Sequence, residues 1–166
     1  MKRALAVLSL LALTGCAAFD PAAALRAAAQ ELRFSLDKVS PRVELAFPLD
    51  QSRLVLDLDL GVQNDSGEHL RTHAVGGALN LATGGADHGL GTVAFPEGLD
   101  IAAQGRSNLH AQVGLSYSQV REAWSAIRSS VVDHQPATWS LDGTAHVDVL
   151  GFDVAVPFRT SKGTGR

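Results

Sequence analysis

The chain has 166 residues, of which 46% are hydrophobic and 5% aromatic, and its net charge is −3. That hydrophobic share is enough for one domain with a buried core, and unlike the hydrophilic composition of disordered chains. A slightly acidic balance supplies neither the basic patch that nucleic acid requires nor a Lys/Arg cluster for anionic lipid head groups.

Lys2 and Arg3 form a positive start, and Ala4 to Leu13 is an uninterrupted run of apolar and small residues. A spanning helix needs about 20 residues, so this run is too short to cross a bilayer and has the length of a signal-peptide core. Leu13-Thr14-Gly15-Cys16 follows and resembles the lipobox of bacterial lipoproteins, with Cys16 as the lipidated first residue of the mature chain. Cys16 is the single cysteine, so an ordinary secretory leader would leave a free thiol in an oxidising compartment. The expectation is a signal peptide over residues 1–15 and a diacyl or triacyl (palmitate-type) anchor on Cys16. Two or more acyl chains hold a protein on a membrane where one does so only marginally. Ala17, in place of Asp, points by resemblance to the sorting rule of diderm bacteria to the outer membrane, facing the periplasm. Losing Lys2 and Arg3 lowers the net charge by two, from −3 to −5. With no disulfide available, the domain depends on its core.

Phe19 to Leu32 reads as a short alanine-rich helix, with Asp20 as N-cap and Pro21 at the first helical position. A flexible low-complexity tether is the other reading; both make residues 16–33 a spacer. From Phe34 the pattern becomes alternation. Val43, Leu45 and Phe47 alternate with Arg42, Glu44 and Ala46. The clearest strand is Leu54 to Val62, with Leu54, Leu56, Leu58, Leu60 and Val62 on one face and Val55, Asp57, Asp59 and Gly61 on the other. Asn64-Asp65-Ser66-Gly67 is a turn. Further strands are expected at Val75–Ala82, Gly89–Phe95, Asn108–Tyr117, Thr138–Val149 and Phe152–Phe158, with breaks at Gly84-Gly85 and Gly151. Within Ser118 to Ser130 the period changes. Val120, Ala123, Trp124, Ile127 and Val131 form a helical stripe, with Ser118 as cap and Trp124 as the anchor. The fold expected is an all-β immunoglobulin- or fibronectin III-like antiparallel sandwich of about seven strands, with one helix near residues 118–131. Its domain spans residues 34–160, and residues 161–166 are expected to be a disordered tail.

The order of these elements resembles the late embryogenesis abundant (LEA) type 2, or WHy, domain. The resemblance rests on Lys38-Val39-Ser40-Pro41, then Leu54–Val62 ending in Gln63-Asn64, then Val75-Gly76-Gly77-Ala78-Leu79-Asn80-Leu81. Ile101 to Ser107, Trp139-Ser140-Leu141-Asp142-Gly143 and Val154-Ala155-Val156-Pro157-Phe158 complete it. The family usually carries Asn-Pro after the long strand, where this chain has Asn64-Asp65, a pair that also suits a turn. The resemblance implies a sandwich with a role in desiccation or other stress tolerance, and implies no catalytic residue.

No chemistry-bearing motif stands out. The chain has no G-x-S-x-G elbow, no Gly-rich phosphate loop with Lys, and no H-E-x-x-H. His69 and His73 have the spacing of a metal pair on a helix, but between a turn and a strand that spacing does not converge, and both read as exposed loop histidines. Asp87-His88 would join them only if its loop folded toward His69. Asp57 and Asp59, about 7 Å apart by strand rise, read as a solvated face that discourages edge-to-edge pairing. Trp124 and Trp139 read as core or helix-docking residues. No catalytic, cofactor or metal site is therefore assigned, and the chain is expected to be a monomeric, non-enzymatic envelope lipoprotein. Protection of protein clients in desiccation is the leading expectation. The alternatives are an adaptor docking an envelope partner, through a sheet edge or the surface around Ser118–Ser130, and a carrier of small apolar ligands.

Overall fold

The computed structural model describes residues 21–149 and 151–164. Cys16, Ala17 and Asp20 lie outside the described residues. Helix α1 (Pro21–Gln30) leads into β1 (Leu32–Glu44), β2 (Arg53–Asn64), β3 (Leu70–Thr83), β4 (Ala86–Phe95), β5 (Leu99–Ile101) and β6 (Arg106–Ser116). Two short helices, α2 (Tyr117–Val120) and α3 (Trp124–Val131), precede β7 (Ala137–Val149) and β8 (Phe152–Thr164). All pairings are antiparallel, in a three-stranded sheet β1-β2-β6 and a five-stranded sheet β4-β3-β7-β8 in which β5 also pairs with β3. The all-β sandwich expected from the alternation is present. No helix among the described residues is long and apolar enough to cross a membrane.

The core follows the period-two rule. Leu54, Leu56, Leu58, Leu60 and Val62 are each fully buried and meet Leu79, Leu81, Trp139, Leu141 and Val147 of the other sheet's inward set in one core. Val55 is buried as well, although it lies on the opposite face, between Arg42 of β1 and Gly114 of β6. Along one side the sheets meet at β1 and β8. There the Leu36 N–H donates to Thr160 Oγ1 at 2.8 Å, and the Phe34 and Phe158 rings stack with centroids 4.3 Å apart.

Four expectations need correction. The alanine-rich helix ends at Gln30 and β1 begins at Leu32, so strand pairing starts before Phe34. Ala28 and Ala29 are buried, which makes α1 a docked element and not a free tether. Residues 161–164 are no tail: they pair with Ala137–Ser140, and the Trp139 indole N–H donates to Thr164 Oγ1 at 3.3 Å. Polar side chains do not prevent this, because the ladder uses backbone groups. The helix near residues 118–131 is broken by a 3-10 turn at Arg121–Ala123, and its start is set by Ser116 in place of Ser118, with the Ser116 N–H donating to Gln119 Oε1 at 2.8 Å. The stripe still packs inward through Val120, Ala123 and Ile127, while Trp124 is only half-buried.

Two glycines are required by close approach. Gly143 faces Gly77 across β7 and β3 on the inner surface, and the Phe158 ring lies over the space they leave. A Cβ on Gly143 would lie 2.7 Å from Phe158 Cζ and collide with the Gly76 carbonyl. On the outer surface, Gly61 of β2 leaves room for Arg106 of β6 to reach Asp37 of β1 above it. Arg106 Nη2 donates to the Asp37 carboxylate and, at 3.1 Å, to Ser35 Oγ, while the Ser35 hydroxyl donates to Asp37 Oδ1 at 2.8 Å. Hydrogen bonds from Arg106 and then Ser35 hold the Asp37 carboxyl below its ordinary pKa.

Gly143→Ala should therefore destabilise the domain by about 1–3 kcal/mol, the usual range for overpacking, read as a lower denaturant midpoint. A depressed folded-state pKa gives stability that is present above the unfolded value and lost as pH falls through the folded one. Asp37 should accordingly contribute in full at neutral pH, begin to lose that contribution near the ordinary carboxylate value of about 4, and lose the rest as pH falls through its lower folded-state value. Denaturation series between about pH 6 and about pH 3 should show a smaller acid-dependent loss in Asp37→Asn than in the parent chain.

Candidate functional site

The exposed face of β2 is the first place to look for chemistry. Asp57 accepts from Gln112 Nε2 at 2.8 Å, and Asp59 Oδ1 lies 2.6 Å from His110 Nδ1. Both carboxylates are engaged by the neighbouring strand β6. The edge-protecting role expected for them is overturned by the topology, since β2 sits between β1 and β6 and is the central strand of its sheet. This row is a cross-strand polar ladder that holds β6 onto β2.

The histidines are also redistributed. His69 is in the loop before β3, but His73 is inside β3 and Asp87-His88 is inside β4, so neither of the latter two positions is a loop. His69 and His73 do not share a helical face. Trp139 is wholly buried, as expected of a core residue.

The arrangement that does stand apart is apolar. The connection between β1 and β2 is pinned at its base by Ser52. Its Oγ accepts from the Ala46 N–H at 3.0 Å, and its carbonyl accepts from the Tyr117 N–H at 2.9 Å. Between these fixed points the loop turns through a 3-10 segment, Leu49–Gln51, and presents large side chains to solvent. Leu45 is 72% exposed and Phe47 94% exposed, with Leu49 and, across from them, Val132 also exposed. These exposed apolar side chains set the loop apart from a domain whose other large apolar side chains are mostly buried.

Beside this loop lies a groove of about 860 Å³, lined by Val43, Leu45, Leu49, Tyr117, Trp124 and Val132 together with the polar Ser125, Arg121, Arg128 and Asp133. The Tyr117 and Trp124 rings meet edge to face, with centroids 5.0 Å apart. This explains the half-buried Trp124: the broken helix turns the indole toward the groove, leaving docking to Val120, Ala123 and Ile127. Neither the Arg121 nor the Arg128 guanidinium forms an ion pair among the described residues. The groove is therefore largely apolar, with the Arg121 and Arg128 guanidinium groups and the Asp133 carboxylate as its charged groups.

The site was only partly visible in the sequence. The helical stripe placed Trp124 and the surface around Ser118–Ser130, but the alternation made Leu45 and Phe47 look like continuing strand. The signal that would have separated them is Pro48, which has no N–H to give to a strand ladder and so argues for the strand ending before it.

No protein-family model matches the chain, and no curated protein matches it. Among solved structures, the chain is similar to a crystal structure of a protein from Archaeoglobus fulgidus, with a TM-score of 0.45 and 10% identity over 79% of this chain and 97% of that one. It is similar to the solution structure of an Arabidopsis thaliana protein, with a TM-score of 0.47 and 15% identity over 80% of each chain. It is also similar to the solution structure of a candidate late embryogenesis abundant (LEA) protein, with a TM-score of 0.43 and 17% identity over 80% of this chain and 69% of that one.

Proposed function

We propose that the chain is a non-enzymatic envelope lipoprotein, held through lipidated Cys16 at the periplasmic face of the outer membrane. Its LEA type 2-like sandwich protects other proteins from aggregation as water is lost. The observation that carries the protective reading is the exposed apolar loop, Leu45, Phe47 and Leu49, beside the groove that holds Tyr117 and Trp124. The occupant is an extended apolar segment of a partly unfolded client. Such segments become exposed when hydration fails, and the groove offers them apolar contact with two guanidinium groups for an acidic flank.

Position supports the same reading. The apolar loop follows the last residue of β1, whereas α1 precedes its first. Thirteen residues of extended strand separate them, roughly 40 Å at ordinary strand rise. The groove thus lies beside the end of β1 opposite to the one at which α1 enters it. The lipobox-like Leu13–Cys16 and the short apolar run before it support the anchor itself.

A second reading, an adaptor for one envelope partner, is favoured by the groove charges of Arg121 and Arg128, which form no ion pair among the described residues. Recovery of one stoichiometric partner that Arg121→Glu/Arg128→Glu releases would select it over general client protection.

Drying a labile enzyme with equimolar protein should leave most of the enzyme soluble, and Phe47→Asp/Leu49→Asp should lose at least half of that protection at unchanged melting temperature. No protection by the parent chain would remove the proposal. Intact-mass spectrometry of protein from host membranes should give the chain from Cys16 plus a diacylglyceryl and an acyl group. An unlipidated mass beginning elsewhere would remove the anchor.

A further inference from the structure

On the outer face of the five-stranded sheet a residue from the middle of the chain, His73, meets two from near its end, His146 and Asp153. His73 belongs to β3, His146 to β7 and Asp153 to β8, three adjacent strands. His146 Nδ1 lies 2.7 Å from Asp153 Oδ2, and His73 Nε2 lies 3.7 Å from Asp153 Oδ1. The two imidazole rings are 5.8 Å apart, and one donor atom from each of the three residues lies within 4.8 Å of the others.

The placement of His73 depends on a β-bulge. The β3–β7 register shifts between Thr72 and Ala74, and His73 is the extra residue. Thr72 and Val75 are both buried, so the bulge leaves two consecutive residues, His73 and Ala74, pointing outward where a regular strand would allow one. Bulges re-aim side chains in this way and are found beside functional sites. Here the re-aimed side chain joins His146, whose own ladder partner is Ala74. Asp148 lies directly across from Asp153 in the β7–β8 ladder and adds negative charge beside the cluster.

We propose that His73, His146 and Asp153 form a surface site for a divalent transition-metal ion of the zinc type. Two imidazoles and one carboxylate are a donor set for zinc, and three protein ligands leave a position for water. Ligand bonds of about 2.0–2.1 Å place tetrahedral donors about 3.4 Å apart, which small side-chain rotations reach from the observed separations. All-oxygen ions such as calcium and magnesium are disfavoured by the two nitrogens. The ion would clip the β7–β8 hairpin to β3 from outside. The site is independent of the groove, which lies at the opposite end of β3, so the two proposals fail separately.

The test is titration of the full chain, isolated as its host makes it and stripped with chelator, using Zn²⁺ alone against a competing chromophoric chelator. One ion should bind per chain with micromolar or tighter affinity. His73→Gln, His146→Gln and Asp153→Asn should each weaken binding roughly tenfold or more, while His110→Gln on the other sheet should leave it unchanged. Circular dichroism of the metal-free variants should match the parent chain, separating ligand loss from unfolding. Absence of saturable binding, or binding that the three variants leave intact, would overturn the proposal.

Discussion

Five side chains in one strand set the terms for everything else. Leu54, Leu56, Leu58, Leu60 and Val62 are all wholly buried along one face of β2. At about 2 kcal/mol for each buried aliphatic side chain, the row accounts for on the order of 10 kcal/mol of burial, comparable to the entire net stability of an ordinary domain. The single cysteine lies at the proposed lipidation point, so no disulfide can substitute for this burial. A three-stranded sheet cannot cover its own inner face; a second sheet is obligatory, and β3, β7 and β8 supply it.

Holding two sheets together at one side is a separate problem, solved where β1 passes β8. The Thr160 hydroxyl accepts from the buried Leu36 N–H of the opposite sheet, so a side chain supplies a partner for a backbone donor on the edge strand β1. Next to it Phe34 and Phe158 stack, and Phe158 in turn occupies the hollow left by Gly77 and Gly143. The small residues of β3 and β7 thus exist to admit an aromatic ring from β8. The same logic works in reverse on the outer surface, where the missing side chain at Gly61 admits an ion pair between strands that are not neighbours.

How far the sequence disclosed this depends on the range of each interaction. The β2 row was legible because a period of two is written in adjacent residues. The inward set of the late helix was legible for the same reason, although the 3-10 break that turned Trp124 outward was not. What escaped were features defined by pairing. Asp57 and Asp59 read as an edge defence because sequence alone did not show that β2 has strands on both sides. The tail at residues 161–164 read as disordered because its side chains are small and polar, yet its order comes from backbone bonds to β7. His73, His146 and Asp153 are separated by up to eighty positions and meet only because a one-residue bulge shifts the register of β3. Local spacing between His69 and His73 drew attention to the wrong partner.

The length and direction of β1 carry a mechanical consequence. Its thirteen residues are hydrogen-bonded to β2 over nearly their whole span, and those bonds run across the strand axis. A pull on the chain upstream of Leu32, resisted at the far end of the sandwich, would load these bonds in shear. They would share the force and yield together, unlike the one-by-one opening of a hairpin pulled from its side. The short helix α1, docked through side chains such as Leu25, Ala28 and Ala29 and not through a strand ladder, would detach first and extend. The molecule is thus built as a compliant lead in series with a stiff body.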